Sequence, residues 1–168
     1  MAKVAFLVDE MFEDSEFQVP YEAIKNAGHE AVIVGMAPGK KLTGKKGMKI
    51  KVESTSGDVR AEEFDAVVIP GGYSPDKVRT DQKMVGFTRQ MHEAGKPVAA
   101  ICHAGWVLAE ADIVRGRTMT SYHSIKTDMT NAGAKWVDKE VVEDGNLITS
   151  RTPDDLPAFC DALTKRLA

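Results

Sequence analysis

Cysteine is scarce in this chain, and the two that occur, Cys102 and Cys160, are spaced for neither a disulfide framework nor a metal knuckle. Their role is reactivity or packing. Long apolar runs are missing as well. The first run, residues 3–8, turns acidic at Asp9-Glu10 and is too short for a signal-peptide core or a membrane span. The expected location is the cytoplasm, with no membrane partner. Neither sign of charge dominates: 22 Lys+Arg stand against 25 Asp+Glu, net -3, which gives no general pull toward nucleic acid. No Gly-x-Gly-x-x-Gly and no phosphate loop occurs, so nucleotide binding is unsupported and neither cofactor nor metal is expected. One stretch departs from this balance. Residues 40–51 hold six lysines with no aromatic interleaved to stack on a base. That pattern fits a solvated hairpin; contact with a polyanion or a partner is the alternative.

What is present is the pattern of one α/β unit over residues 1–168. A chain of this length buries roughly 70% of its unfolded surface, and no linker or internal repeat divides it. Residues 3–9, 29–36, 65–70 and 98–102 are apolar on successive positions rather than alternating, the mark of strands buried on both faces of a parallel sheet. Helical patterns lie between them at residues 14–27 and 81–94, closed by Gly28 and Gly95. Pro20 should kink the first helix or delay its start. Residues 42–53 read as an inserted hairpin. A short helix is expected at 125–132, a second hairpin at 141–150 around Asp144-Gly145-Asn146, and a last helix after Thr152-Pro153. The expected fold class is a doubly wound α/β sandwich with right-handed crossovers.

In such a sheet the ligand crevice lies beyond the carboxyl ends of the strands. Three places qualify: the acids after the first strand, Gly71-Gly72 after the third, and Cys102-His103 after the fourth. Residues 98–106 run strand, turn, helix start. The positions two before and two after Cys102 are both alanine, as the strained turn of a nucleophile elbow requires. A helix N-terminus there would favour a thiolate and lower its pKa; an inert buried cysteine is the other reading. Gly71-Gly72 can turn backbone N–H groups toward an oxyanion beside the amide of His103, or be an ordinary turn. Of Glu10, Glu13, Asp14 and Glu16, one can point into the crevice and hold a proton beside the sulfur. The others would be a solvated helix start. His123, following Tyr122, can reach the site, whereas Cys160 falls in the apolar pattern of Leu156, Phe159 and Leu163 and reads as core.

The chain resembles the PfpI family of the ThiJ/PfpI superfamily, which includes the parkinsonism-associated deglycase. The resemblance rests on Phe12-Glu13-Asp14, on residues 63–66 leading to Val68-Ile69-Pro70-Gly71-Gly72, on Gly95-Lys96-Pro97 leading to Cys102-His103, and on Thr120-Ser121-Tyr122 before Ile125-Lys126. Asn131-Ala132-Gly133 and residues 141–146 extend it to nearly the whole chain. It implies a flavodoxin-like sandwich with Cys102 as nucleophile and Glu13 bonded to its thiol. His103 would be the adjacent base, with the oxyanion held near Gly72 and His103 and substrate contacts at Tyr122 and His123. It further implies a homo-oligomer, dimer or hexamer, in which the loop after Gly-Gly orients the histidine of another subunit. The family's glutamate on that loop is here Asp76. Removal of methylglyoxal adducts ranks first as the implied activity, because it needs only a thiolate, a proton-carrying carboxyl and an oxyanion site. Intracellular peptidase action ranks second, and a non-catalytic redox sensor or chaperone-like stress protein is the reading of another class. The glutamine amidotransferases share the elbow but use a later His-x-Glu pair, and no histidine follows His123.

Overall fold

The computed structural model describes residues 1–168. Its strands are β1 (Lys3–Leu7), β2 (Glu30–Gly35), β3 (Lys41–Thr43), β4 (Lys49–Lys51), β5 (Ser54–Thr55), β6 (Ala66–Ile69), β7 (Val98–Ile101), β8 (Thr118–Met119), β9 (Lys135–Trp136), β10 (Val142–Asp144) and β11 (Leu147–Ser150). The helices are α1 (Asp14–Asn26), α2 (Ser74–Val78), α3 (Gln82–Glu93), α4 (Gly105–Glu110), α5 (Lys126–Asn131) and α6 (Leu156–Leu167). Seven strands form one sheet in the order β10-β11-β7-β6-β1-β2-β5, parallel throughout except for the β10–β11 hairpin.

The unbroken apolar runs are explained by two cores, one on each face. Along β1, Ala5 and Leu7 face one core while Val4 and Phe6 face the other. In β7 the split is Val98 and Ala100 against Ala99 and Ile101. Successive side chains of a strand point to opposite faces, so a strand covered on both sides must be apolar at every position. Met84, Phe87 and Met91 of α3 and Leu108 of α4 close the first core. Phe17 and Ile24 of α1 and Phe159 and Leu163 of α6 close the second. Phe6, Phe17 and Tyr21 pack ring against ring at 4.9–5.6 Å between centroids.

Two local expectations are corrected. Helix α1 starts at Asp14 and runs through Pro20 unbroken. The segment after Gly71-Gly72, expected as a loop, forms the short helix α2, with Pro75 in its first turn where a missing N–H costs nothing. The expected inserted hairpin is present as antiparallel β3–β4, and its tip packs toward the carboxyl ends of the sheet strands. Lys45 N–H donates to the Phe12 carbonyl (2.9 Å), and Met11 N–H donates to that of Thr43 (2.9 Å).

Candidate active site

Strand β7 ends at Ile101, and Cys102 turns the chain with φ +63°, a left-handed conformation costing a non-glycine residue on the order of 1–3 kcal/mol. This is the strained elbow. Ala100 and Ala104 are both buried against it, which is why neither position tolerates bulk. Gly71 and Gly72 pass alongside. A Cβ on Gly71 would lie 2.6 Å from Cys102 Cβ and collide with Glu16. Gly72 has φ +84°, and a Cβ there would lie 2.5 Å from the Glu13 nitrogen. Both glycines are dictated by this crowding. The pair is zipped to the end of β1: Glu13 N–H donates to the Gly71 carbonyl (3.0 Å) and Tyr73 N–H to that of Met11 (2.9 Å).

The two amides of the glycine pair have different tasks. Gly71 N–H donates to Glu16 Oε1 at 2.9 Å. Gly72 N–H, with the amide of His103, is directed at the Cys102 sulfur, whereas the expectation turns the same two amides toward an oxyanion.

The carboxyl beside the thiol is Glu16, not Glu13. Glu13 caps α1, and Glu16 lies three residues on, so both look into the same crevice from one face of the first turn. Glu16 reaches deeper. It is completely buried, and its Oε2 has no hydrogen-bond partner in a setting where it acts directly on Cys102. Burial raises its pKa to about 8, only partly offset by the Gly71 amide, so it is protonated at neutral pH. Glu13 instead faces the hairpin, with Lys45 Nζ 3.5 Å from Oε1 and Lys46 Nζ 3.3 Å from Oε2. No spacing in the sequence distinguishes the two, because their depth is set by how α1 packs on the strands.

The expected low-pKa thiol is also corrected. Burial, then the negative charge of Glu16 when ionised, push Cys102 up to about 12 against the pull of the Gly72 and His103 amides and of Lys45. A three-residue 3₁₀ turn precedes the six-residue α4, so little helix dipole offsets the burial. Of the two groups in this crevice the carboxyl ionises first, near pH 8, while the thiol keeps its proton; His103 Nδ1, 3.3 Å from the sulfur, is the neighbour able to take that proton when the sulfur attacks.

His103 stands closer to the sulfur than helical spacing allows, its Nδ1 3.3 Å from Cys102 Sγ. The left-handed elbow rather than a helix sets the relative direction of the two side chains. The imidazole is held within its own chain. Ser124 Oγ lies 3.3 Å from Nε2, Tyr122 stacks on the ring at 4.9 Å, and Trp106 approaches at 5.0 Å. Burial lowers its pKa, so the ring is neutral and able to take a proton. Tyr122 lines the site; His123 is exposed and packs on Tyr122 at 4.4 Å from outside. Asp76 is exposed on α2 and bonded to Arg79 (Nε–Oδ1 2.9 Å), with no hydrogen bond to His103 of its own chain. Arg79 in turn covers the Trp106 ring at 4.4 Å.

Glu13, Glu16, Lys45, Gly72, Tyr73, Cys102, His103, Tyr122 and Pro153 enclose a cavity of about 370 Å³. Lys45, Tyr73 and Pro153 are site residues that motif spacing does not reveal, because the hairpin tip and the turn before α6 reach the crevice only in the folded chain. No group of three or more His, Cys, Asp or Glu side chains is placed to hold a metal ion, and no helix is long and apolar enough to cross a membrane.

Comparison with known proteins shows the fold and the family. The chain is 48% identical over 165 residues to a deglycase of Pyrococcus horikoshii, covering 98% of this chain and 99% of the relative. It is 47% identical over 159 residues to protein/nucleic acid deglycase 2 of Escherichia coli, covering 94% and 92%. The crystal structure of Drosophila melanogaster DJ-1beta superposes with a TM-score of 0.93 at 30% identity, over 99% of this chain and 90% of that one. The model of the DJ-1/PfpI family matches residues 2–166. An elbow cysteine beside a buried acid, on this sheet and with these relatives, has one reading: the chain belongs to the DJ-1/PfpI family and is a cysteine hydrolase.

Proposed function

We propose that the protein removes methylglyoxal-type adducts from amines or thiols, with Cys102 as nucleophile and Glu16 as proton carrier. The observation that carries this reading is the protonated Glu16 carboxyl buried beside a thiol with two convergent amide donors. The cavity of about 370 Å³ admits a three-carbon fragment.

The chemistry balances without an outside oxidant. At the carbinol carbon of the adduct a C–N or C–S bond breaks, the leaving amine or thiol takes a proton, and a C–S bond to Cys102 forms. A proton then moves from that carbon to its carbonyl neighbour through an enediol. The first carbon is thereby oxidised to a thioester and the second reduced to an alcohol. Glu16 is the group placed to carry the proton, while neutral His103 takes and returns the proton of the leaving group. The amides of Gly72 and His103 hold the negative oxygen that develops. Water cleaves the thioester and a 2-hydroxy acid leaves.

Assembly belongs to the same proposal. Asp76, exposed near the elbow, would meet His103 of a second copy in a homo-oligomer. Because Ser124, Tyr122 and Trp106 already hold the ring, this contact refines its position rather than creating it. Wild type and Cys102→Ser, assayed on methylglyoxal-treated protein and on a peptide panel, test the assignment. The expected result is Cys102-dependent release of 2-hydroxypropanoate and no peptide cleavage. Cys102-dependent peptide cleavage without adduct removal would replace it with the peptidase reading. Asp76→Ala should lower turnover by less than about tenfold, the scale of one oriented hydrogen bond.

A further inference from the structure

The tip of the β3–β4 hairpin is fixed as firmly as the elbow. Asp14 accepts the N–H of Lys46 at 3.1 Å and of Met48 at 3.0 Å. Gly44 N–H donates to the Met48 carbonyl at 2.7 Å, and a Cβ at Gly44 would collide with Asp14. Together with the bond from Lys45 N–H to Phe12, these contacts deliver the Lys45 side chain to the cavity mouth. Its ammonium lies 5.3 Å from the Tyr73 ring centroid, and Lys45 lines the same cavity as Cys102 and Glu16.

Lys45 is the one Lys or Arg among the residues that line the cavity. It shares the Glu13 carboxylate with Lys46, while Asp14, the other acid at the tip, is engaged by the N–H groups of Lys46 and Met48. Lys46 alone can hold Glu13, and Lys45 can turn to another anion without stranding a charge. Such an anion arises in the proposed reaction itself. When water bonds to the acyl carbon, the C–S pair returns to sulfur, one water proton goes back to the Glu16–Cys102 pair, and the acid product ionises.

Resting on the deglycase reading, we propose that Lys45 is the carboxylate subsite of this pocket: it binds the carboxylate of the 2-hydroxy acid formed at Cys102. A bound 2-hydroxy carboxylate then covers the sulfur, and the neutral amide of the same acid does so only weakly.

The test reads binding rather than turnover. Iodoacetamide alkylation of Cys102, located by peptide mapping, is followed with lactate or lactamide added, each variant scaled to its own unprotected rate. Lactate should protect wild type at lower concentration than lactamide. Lys45→Met should need about tenfold more lactate, the loss of one charge-assisted hydrogen bond, with lactamide unchanged. Lys45→Arg should restore protection to within about threefold. Equal protection by lactate and lactamide in wild type, absence of protection by lactate, or an unaltered lactate requirement in Lys45→Met would overturn the subsite. If protection follows this pattern while no variant releases a 2-hydroxy acid from adducts, the deglycase reading fails and the subsite stands.

Discussion

The two cysteines are both sheltered from solvent and both have raised pKa values, yet their surroundings are opposite. At Cys160, half-buried on α6, burial alone pushes the thiol up to about 11. At Cys102 a larger push is opposed by the amides of Gly72 and His103 and by the Lys45 ammonium, and a carboxylic acid lies beside it. The comparison teaches that depth does not make a cysteine reactive. A buried thiol becomes a nucleophile when groups around it stabilise the anion it must become.

The largest effect that would break this contrast is the loss of the sulfur itself. Cys102→Ser should lower adduct turnover by at least about 10³-fold, whereas Cys160→Ser should change it less than twofold, both read as initial rates. Comparable losses in the two variants would erase the distinction.

Next comes the proton carrier. Glu16→Gln should reduce turnover about 10²- to 10³-fold, and Glu13→Gln less than tenfold, because Glu13 touches the hairpin lysines instead of the sulfur. The same substitution has a stability signature with a definite sign. The folded pKa of Glu16, about 8, lies above its ordinary 4.5, so the native state holds a proton that the unfolded chain has released. Wild type therefore loses stability as pH rises from about 4.5 to 8, by up to about 5 kcal/mol. Glu16→Gln should show no such loss, so its melting temperature relative to wild type should rise across that interval. A constant difference between pH 5 and 9 would show that the carboxyl does not titrate there.

The smallest effect sharpens the comparison. With iodoacetamide at pH 8, Cys102 should be alkylated at least about tenfold faster than Cys160 although its thiol is raised further, because His103 Nδ1, 3.3 Å away, can take the proton as the sulfur attacks. Peptide mapping at timed intervals distinguishes them; equal rates would mean that neither His103 nor the donors around Cys102 help to form its anion.

The sequence alone, through its unbroken apolar runs, led to the sheet, and the alanines around Cys102 with Gly71-Gly72 pointed to the elbow. These are local signals: a strand covered on both faces and a turn with no room for a side chain each leave their mark on a few adjacent residues. The start of α1 was less legible, since Pro20 suggested a kink or a late start, and the sequence did not show which acid of its first turn lies over the sulfur. Glu13 and Glu16 differ only in how far each projects past the end of the sheet, a distance set by the packing of α1 on the strands. The orientation of His103 is of the same kind, because the left-handed turn at Cys102 overrides helical spacing. Lys45 illustrates it most fully. Its lysine-rich hairpin reads as solvated surface along the chain, and only the tertiary contacts of Asp14 and Phe12 bring that one ammonium to the cavity. Sequence by itself determined the framework and the elbow at Cys102, since both rest on short-range sterics and periodic burial. Only the folded structure decided which charges surround the sulfur, since electrostatics depends on distances between residues far apart in the chain.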